Sequence, residues 1–354
     1  MNVINKGIIL LLLLFASCQN EYSPVFMGEN PTYVKFKKSY ELTGEITSIE
    51  NLGTEIFILD TFLIFSNPGL DTLYHAYSSI DLNWLGSFIK KGEGPNELES
   101  PLRPLSGERK GNDFFISFYN RARLGIFHFN LTKSLIQGAD IFQDTISLGN
   151  YTDVYRAYQL NQDEIFVDNL DFINLNQQYS IYRLVDQKIT KVNNAVCSGL
   201  QDQSDIFLMA ACTIFNPKQQ KYAGGMMFLD QINIYDIYNP ENSKAITVNS
   251  KITSLIEASR MIMPFKKEYY VDLRDSGEFL FGLYANQTRQ EWATGDRPGE
   301  IHVINWDGQP ICKLSTKEKL VNFDIDRIHN LLYAITENDE IYKYDLGKIP
   351  ELGR

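Results

Sequence analysis

Apolar and polar positions along the chain alternate in short runs that come in pairs, each pair joined by a turn. Ile56–Asp60 is followed by Phe62–Phe65, Phe114–Phe118 by Leu124–Phe129, and Ile165–Val167 by Tyr179–Leu184. Met226–Leu229 is followed by Ile232–Tyr235, Phe279–Leu283 by Ile301–Ile304, and Leu331–Ile335 by Ile341–Tyr344. Alternation in such short runs is the period of a half-buried strand. The six pairs recur at a mean spacing of about 55 residues, the pattern of a propeller whose blades are small antiparallel sheets.

A four-stranded blade also needs an inner strand before each pair and an outer strand after it. Leu320–Ile325 alternates as the inner strand of blade six, Gly44–Ile49 reads the same way ahead of blade one, and Leu82–Ile89 serves as the outer strand of blade one. After Tyr344 only ten residues remain, and Leu346–Arg354 makes a poor strand. The missing strand must come from the other end, where Tyr33, Lys35 and Lys37 alternate with Val34, Phe36 and Lys38. The expected fold is all-β, a six-bladed β-propeller with four-stranded blades over 32–354. The N-terminal strand (about 32–40) joins the last blade, closing the ring and removing an open sheet edge.

Residues 1–17 read as an export signal: Lys6, the apolar run Ile8–Phe15, then Ala16-Ser17. Eight apolar residues are too few to cross a hydrocarbon core that needs roughly 20. Leu14-Phe15-Ala16-Ser17-Cys18 resembles a bacterial lipobox, which makes Cys18 the lipid-attachment residue and the mature N-terminus. Residues 18–31 are polar and turn-rich and read as a flexible tether. The expected address is the cell envelope, as an outer-membrane lipoprotein held to the membrane only through its anchor. Glu21 is the single acid among the first five mature residues, so periplasmic and surface-facing orientations both stay open.

Composition sharpens this picture. The 22 Phe and 20 Tyr against 7 Met favour strands over helices, and a net charge of −11 with no Lys/Arg block excludes a nucleic-acid footprint. Beyond Cys18, the cysteines Cys197, Cys212 and Cys312 allow at most one disulfide. A chain of this size has core enough to do without one, so free, buried thiols are expected.

Phe88-Ile-Lys-Lys-Gly92-Glu-Gly94-Pro95-Asn-Glu97-Leu98 resembles the Gly-x-Gly-Pro-Gly-Glu-Phe loop of the TolB-like six-bladed β-propeller lipoproteins of Bacteroidetes, with Asn96 at the third glycine and Leu98 at the aromatic. The stretch from Ile304 to Asp345 is similar to that family's closing blades. The resemblance implies a lipid-anchored propeller and says little about activity, because fold does not supply function.

Strand parity places the turns within pairs and the blade-to-blade links on one face, the top: Asp60-Thr61, Asn120 to Arg123, Asp168-Asn169, Lys90 to Glu97, and a 16-residue connection from Ala285 to Glu300. Candidate binding residues on it are Trp292, Arg297, Lys90, Lys91, Glu93, Glu97, Arg121 and Arg123. Trp292 is expected to be exposed, a platform on which sugars or peptides stack. The plain alternatives are that Gly92, Gly94 and Pro95 set a tight turn, that Glu97 caps a backbone amide, and that Trp292 folds back onto its blade.

No His-Glu-x-x-His, Cys-x-x-Cys, Gly-x-Ser-x-Gly or Walker motif occurs. His128 and His302 fall inside strands and His75 and His329 beside turns, none at ligand spacing, which suits structural roles. Asp324 and Asp326 share a strand face and would bind a hard cation if both entered the axial channel; Asp272 and Asp275 form a second carboxylate pair. The reading favoured is a non-catalytic binding or scaffold module for an outer-membrane or periplasmic protein or glycan, with no cofactor. The alternative is a metal-dependent hydrolase or lactonase holding a divalent cation such as calcium, with Asp60, Asn120 and Asp324 as its weak ligand candidates.

Overall fold

Six antiparallel sheets of four strands follow one another along the chain and form a six-bladed propeller: Glu55–Lys90, Pro104–Ser147, Val154–Asn194, Ala211–Thr247, Lys267–Ser315, and Leu320–Asp345 with Gly44–Ile46. The computed structural model describes residues 31–50, 53–149, 154–171, 176–194, 206–251 and 255–353. The segment read as an export signal, Cys18, nearly all of the segment read as a tether, and Cys197 lie outside these residues. Of the remaining cysteines, Cys212 and Cys312 are both free thiols, Cys312 buried and Cys212 partly so.

Within each blade the chain runs in sequence from the innermost strand outward, each strand pairing with the one before or after it, except at the outer edges of blades four, five and six, where strands from the N-terminal segment are added. The second strands begin at Phe62, Asp113, Glu164, Lys221, Phe279 and Leu331. The paired runs seen in the sequence are therefore second and third strands in blades two, three, five and six. In blade one they are the first and second strands, and in blade four Met226–Leu229 is the end of a strand and the turn after it. Trp84–Lys90 and Leu320–Asp326 occupy their expected outer and inner positions.

The segment 32–40 does not join the last blade. Thr32–Tyr33 lies parallel to the outer strand of blade four, and Ser39–Glu41 parallel to that of blade five. Gly44–Ile46, expected as the inner strand of blade one, is the strand that pairs antiparallel with Ile341–Asp345 and completes blade six. The N-terminal chain thus closes the ring as expected, but one strand later, after strapping two blades from outside. Val34 and Phe36 are half-buried and pack with the apolar cluster between blades four and five, while Tyr33, Lys35 and Lys37 are exposed. Alternation reports a strand with one buried face; it does not say which edge the strand covers.

Six apolar clusters hold the blades together, one at each interface including the closing one. Between blades one and two, Tyr74, Phe88, Phe118 and Phe129 stack in series at 5.1–5.5 Å. Between blades three and four, Phe166, Tyr179, Tyr222 and Tyr235 do the same work. At the closing interface, Ile49, Ile56 and Phe65 meet Tyr333, Ile335 and Ile341. Flat aromatic rings fill the wedge between twisted sheets with few rotatable bonds, which explains the bias toward Phe and Tyr.

Two of the four histidines, His75 and His302, are buried in this packing, and the other two make local hydrogen bonds. His75 sits within the strand Thr72–Ser78, not beside a turn, and is buried. His128 Nδ1 meets Ser117 Oγ at 2.8 Å, and His329 Nδ1 meets Asp326 Oδ2 at 2.8 Å. His302 is fully buried, stacked 4.3 Å from Tyr284, and its Nδ1 meets the Tyr270 hydroxyl at 3.1 Å. Burial pushes its imidazole down to about 4.

Gly44 is required where the closing strand passes the aromatic rings of blade six. A Cβ there would run into the Tyr344 ring and come within 2.9 Å of Tyr342 Cδ1. Gly44→Val should therefore destabilise the protein by about 2 kcal/mol or more, measured by urea unfolding, while Glu45→Val on the same strand, whose side chain is exposed, should be nearly neutral. A second expectation concerns pH. The unfolded imidazole of residue 302, ordinarily near 6.5, takes up a proton between pH 6.5 and 4 that the folded one refuses. Its contribution is complete above pH 6.5 and is lost as pH falls toward 4. Asp230, pushed up to about 6 by burial, titrates in the opposite sense, so the comparison is between variants. His302→Gln should lose less stability than the wild type between pH 6.5 and 4, by about 3 kcal/mol at most.

Candidate functional site

The link from blade one to blade two and the turn Asn120 to Arg123 form a cleft of about 390 Å³ on the top face. Two side chains hold its wall. Arg123 donates from Nη1 to Pro95 O at 2.9 Å and from Nη2 to Gly94 O at 3.0 Å and Glu97 O at 3.1 Å. Glu97 Oε2 accepts the Gly94 N–H at 3.0 Å, and a Cβ on Gly94 would come within 2.8 Å of that oxygen. Glu97 is therefore an amide cap and Arg123 a clamp, and the glycines are there to let the carboxylate fold over the turn.

The other residues expected at this site divide cleanly. Lys91 donates to Pro68 O at 2.8 Å, so its ammonium is spent on the neighbouring turn. Lys90 is exposed at the end of its strand, and Ile89 and Lys90 donate their backbone N–H groups to Asp140 at 2.7 and 3.2 Å. Glu93, Glu99 and Arg121 are exposed on the cleft lining, with the Arg121 guanidinium 5.5 Å from the Tyr155 ring centroid.

Trp292 and Arg297 share the top face but belong to blade five, across the ring from this cleft. The long connection is shorter than expected, because the strand runs on to Thr288 and a helix, Arg289–Thr294, follows under a Thr288/Glu291 capping box. Trp292 is half-buried, not an open platform. The buried Lys319 ammonium stands 5.0 Å from its ring centroid and donates to Trp292 O at 2.7 Å. Arg297 is exposed and donates to Asn286 O at 3.2 Å.

Sequence reasoning missed a second constellation, in the axial channel. The inner strand of each blade has no strand on its axial side, so alternate backbone groups there need other partners. Side chains of other blades supply them. Ile56 N–H donates to Asn322 Oδ1 at 2.7 Å and Ile58 N–H to Asp324 Oδ2 at 2.8 Å, joining blade one to blade six. Arg156 caps Ala211 O at 3.3 Å, the Cys212 thiol donates to Val271 O at 3.2 Å, and Arg327 caps Asp275 O at 2.7 Å. Arg103 crosses the axis from blade two to blade five, reaching Asp272 Oδ1 and Leu273 O, both at 3.2 Å. Arg274 and Asn322 share Asp272 Oδ2, each at 3.0 Å.

This network fixes protonation as well as geometry. Burial pushes the Asp324 carboxyl up, with the Arg274 guanidinium opposing the rise. Burial also pushes the Cys212 thiol up to about 11, far from a reactive thiolate. Asp326 stays out of the channel and accepts the Ile328 and His329 N–H groups at 2.9 and 3.0 Å.

The three cation-ligand candidates are not brought together. Asp60 lies in the turn between the first and second strands of blade one, on the bottom face and not the top, with Arg109 Nε donating to it at 2.7 Å. Asn120 is on the top face, accepting the Arg123 N–H at 3.1 Å, and Asp324 is inside the channel. Asp168, expected in a top-face turn, is buried within the strand Glu164–Asp171, where it accepts the Tyr222 hydroxyl at 2.9 Å. Among the described residues no three His, Cys, Asp or Glu side chains are grouped to hold a metal ion.

No family model and no curated protein matches the chain. Among solved structures, a member of the DUF4221 family from Bacteroides vulgatus is similar over 90% of this chain and 98% of its own, at 11% identity and a TM-score of 0.50. A calcium-binding regucalcin from Agrobacterium tumefaciens is similar over 87% and 95%, at 10% identity and a TM-score of 0.45. The Swd1 propeller domain from Myceliophthora thermophila is similar over 86% and 99%, at 13% identity and a TM-score of 0.43. At these identities the first likeness concerns the propeller fold alone.

Proposed function

We propose that the chain is a non-catalytic binding or scaffold propeller, tethered in the cell envelope through lipid on Cys18, that engages a protein or glycan partner through its top face. The observation that carries this reading is the clamped cleft. Arg123 and Glu97 immobilise the loop from Gly92 to Glu97, while Glu93, Glu99 and Arg121 face outward around it. A wall fixed before the partner arrives loses little conformational entropy on binding. Mixed charges around the cleft, and a Trp292 ring already covered by Lys319, favour a protein partner over a stacked sugar. The lipobox-like Leu14–Cys18 segment and the resemblance of the Lys90–Leu98 loop to TolB-like lipoproteins support the envelope address and that family reading.

The test is a pull-down of the lipidated protein from its native membrane. A reproducible co-purifying protein is expected. It should be lost in the double charge reversal Glu93→Lys, Arg121→Glu, whose thermal midpoint should stay within about 2 °C of the wild type, since both side chains are exposed. Cys18→Ala should leave the membrane fraction altogether. Retention of every partner by the double variant would contradict the proposed face.

A further inference from the structure

On the bottom face the axial channel opens into a funnel of about 450 Å³, a volume in the range of small-molecule sites. It lies on the opposite face from the cleft and is independent of the reading above. Its floor is Arg103, whose link to Asp272 bridges the channel. Above the floor stand Arg274 and Asp324, and the rim carries Lys218, the Arg109–Asp60 pair and the Arg327–Asp275 pair.

Two counts set the character of this cavity. Five cationic side chains line it against three carboxylates, in a chain whose net charge is −11. The hydrogen-bonding capacity is still more one-sided. Asp324 accepts the N–H groups of Ile58 and Ile325, each at 2.8 Å. Asp275 accepts from Gly277 at 2.6 Å, Trp306 at 3.1 Å and Arg327 at 3.2 Å. The acids are thus occupied by the protein. The donors are not: among the described residues, Arg103 Nε and Nη1 and Lys218 Nζ have no partner, and Arg103 keeps 32% of its side-chain surface exposed. A guanidinium carries five donors and a lysine three, so capping the axial carbonyls leaves a surplus. Leu105, Ile214 and Phe215 supply apolar wall between these charges.

We infer that this funnel is a binding site for a small organic dianion with an apolar body, of the dicarboxylate class. One oxyanion group meets Arg103 at the floor and the other meets Lys218 at the rim, with the body against the apolar wall. The floor group accepts from a free Arg103 N–H as a charge-assisted hydrogen bond in a partly desolvated position, and Lys218 adds a point charge at the solvent-facing rim.

The test uses the full chain and isothermal titration with isophthalate, terephthalate and adipate, alongside isophthalamide as the neutral isostere and inorganic phosphate as a dianion without a body. Saturable binding of at least one dicarboxylate is expected, at least about tenfold tighter than isophthalamide or phosphate. Lys218→Ala, at an exposed position with no side-chain partner among the described residues, should weaken it about tenfold without moving the thermal midpoint. Arg103→Gln should abolish it, and Arg103→Lys should restore part of it. Absence of binding by all three dicarboxylates, equal binding of the diamide or of phosphate, or wild-type affinity in both Lys218→Ala and Arg103→Gln would overturn the assignment.

Discussion

A propeller blade has one edge that no strand covers, the axial side of its innermost strand, and this chain covers it with side chains. Asn322 and Asp324 take the N–H groups of blade one, while Arg156, Arg327, Arg103 and Cys212 take carbonyls of blades four and five. An unpaired backbone group in this environment costs on the order of 1–3 kcal/mol. Guanidinium and carboxylate groups are able to serve several partners each, so they also lock one blade to the next and, through Arg103 and Asp272, one side of the ring to the other. Buried ion pairs of this kind owe their worth to the hydrogen bonds around them rather than to charge alone.

That constraint decides what is left for function. Axial carboxylates in a propeller look like ligands for a hard cation, but here Asp272, Asp275 and Asp324 already hold backbone amides, a guanidinium or an indole N–H. The chain spends acceptors faster than donors, and the surplus gathers where the channel opens to the bottom face. On the top face the same economy operates on a smaller scale: Glu97 and Arg123, both candidates for contact with a partner, are consumed in holding the loop, and Glu93, Glu99 and Arg121 are the charges displayed.

Much of the fold was legible because strand alternation survives in every blade and recurs at a near-constant spacing. Two features were not. Three short outer strands, at 32–33, 39–41 and 44–46, are mostly exposed, and their pattern alone does not choose among three neighbouring blade edges. In blade one the strong runs are the first and second strands instead of the second and third, which moved Asp60 to the wrong face. At the site, the spacing of Gly92, Gly94 and Glu97 already spelled out a capped turn. The axial network was half visible: Asn322 and Asp324, or Asp272 and Arg274, are polar residues two apart that alternate with Val321, Phe323 and Ile325, or with Val271 and Leu273, the pattern of an inner strand facing a channel. Their partners, Ile56 and Ile58 or Arg103, lie far away in sequence and carry no local signal.

The most direct measurement is amide hydrogen exchange resolved to Ile56 and Ile58, whose N–H groups face the axis with no strand beside them. Protection at both comparable to that of the ladder amides within blade one, with that of Ile56 lost in Asn322→Ala and that of Ile58 kept by Asp324, is the expected result. Exchange at both amides as fast as at an open sheet edge would show that the axial side chains do not hold the ring, and would contradict the role given to them here.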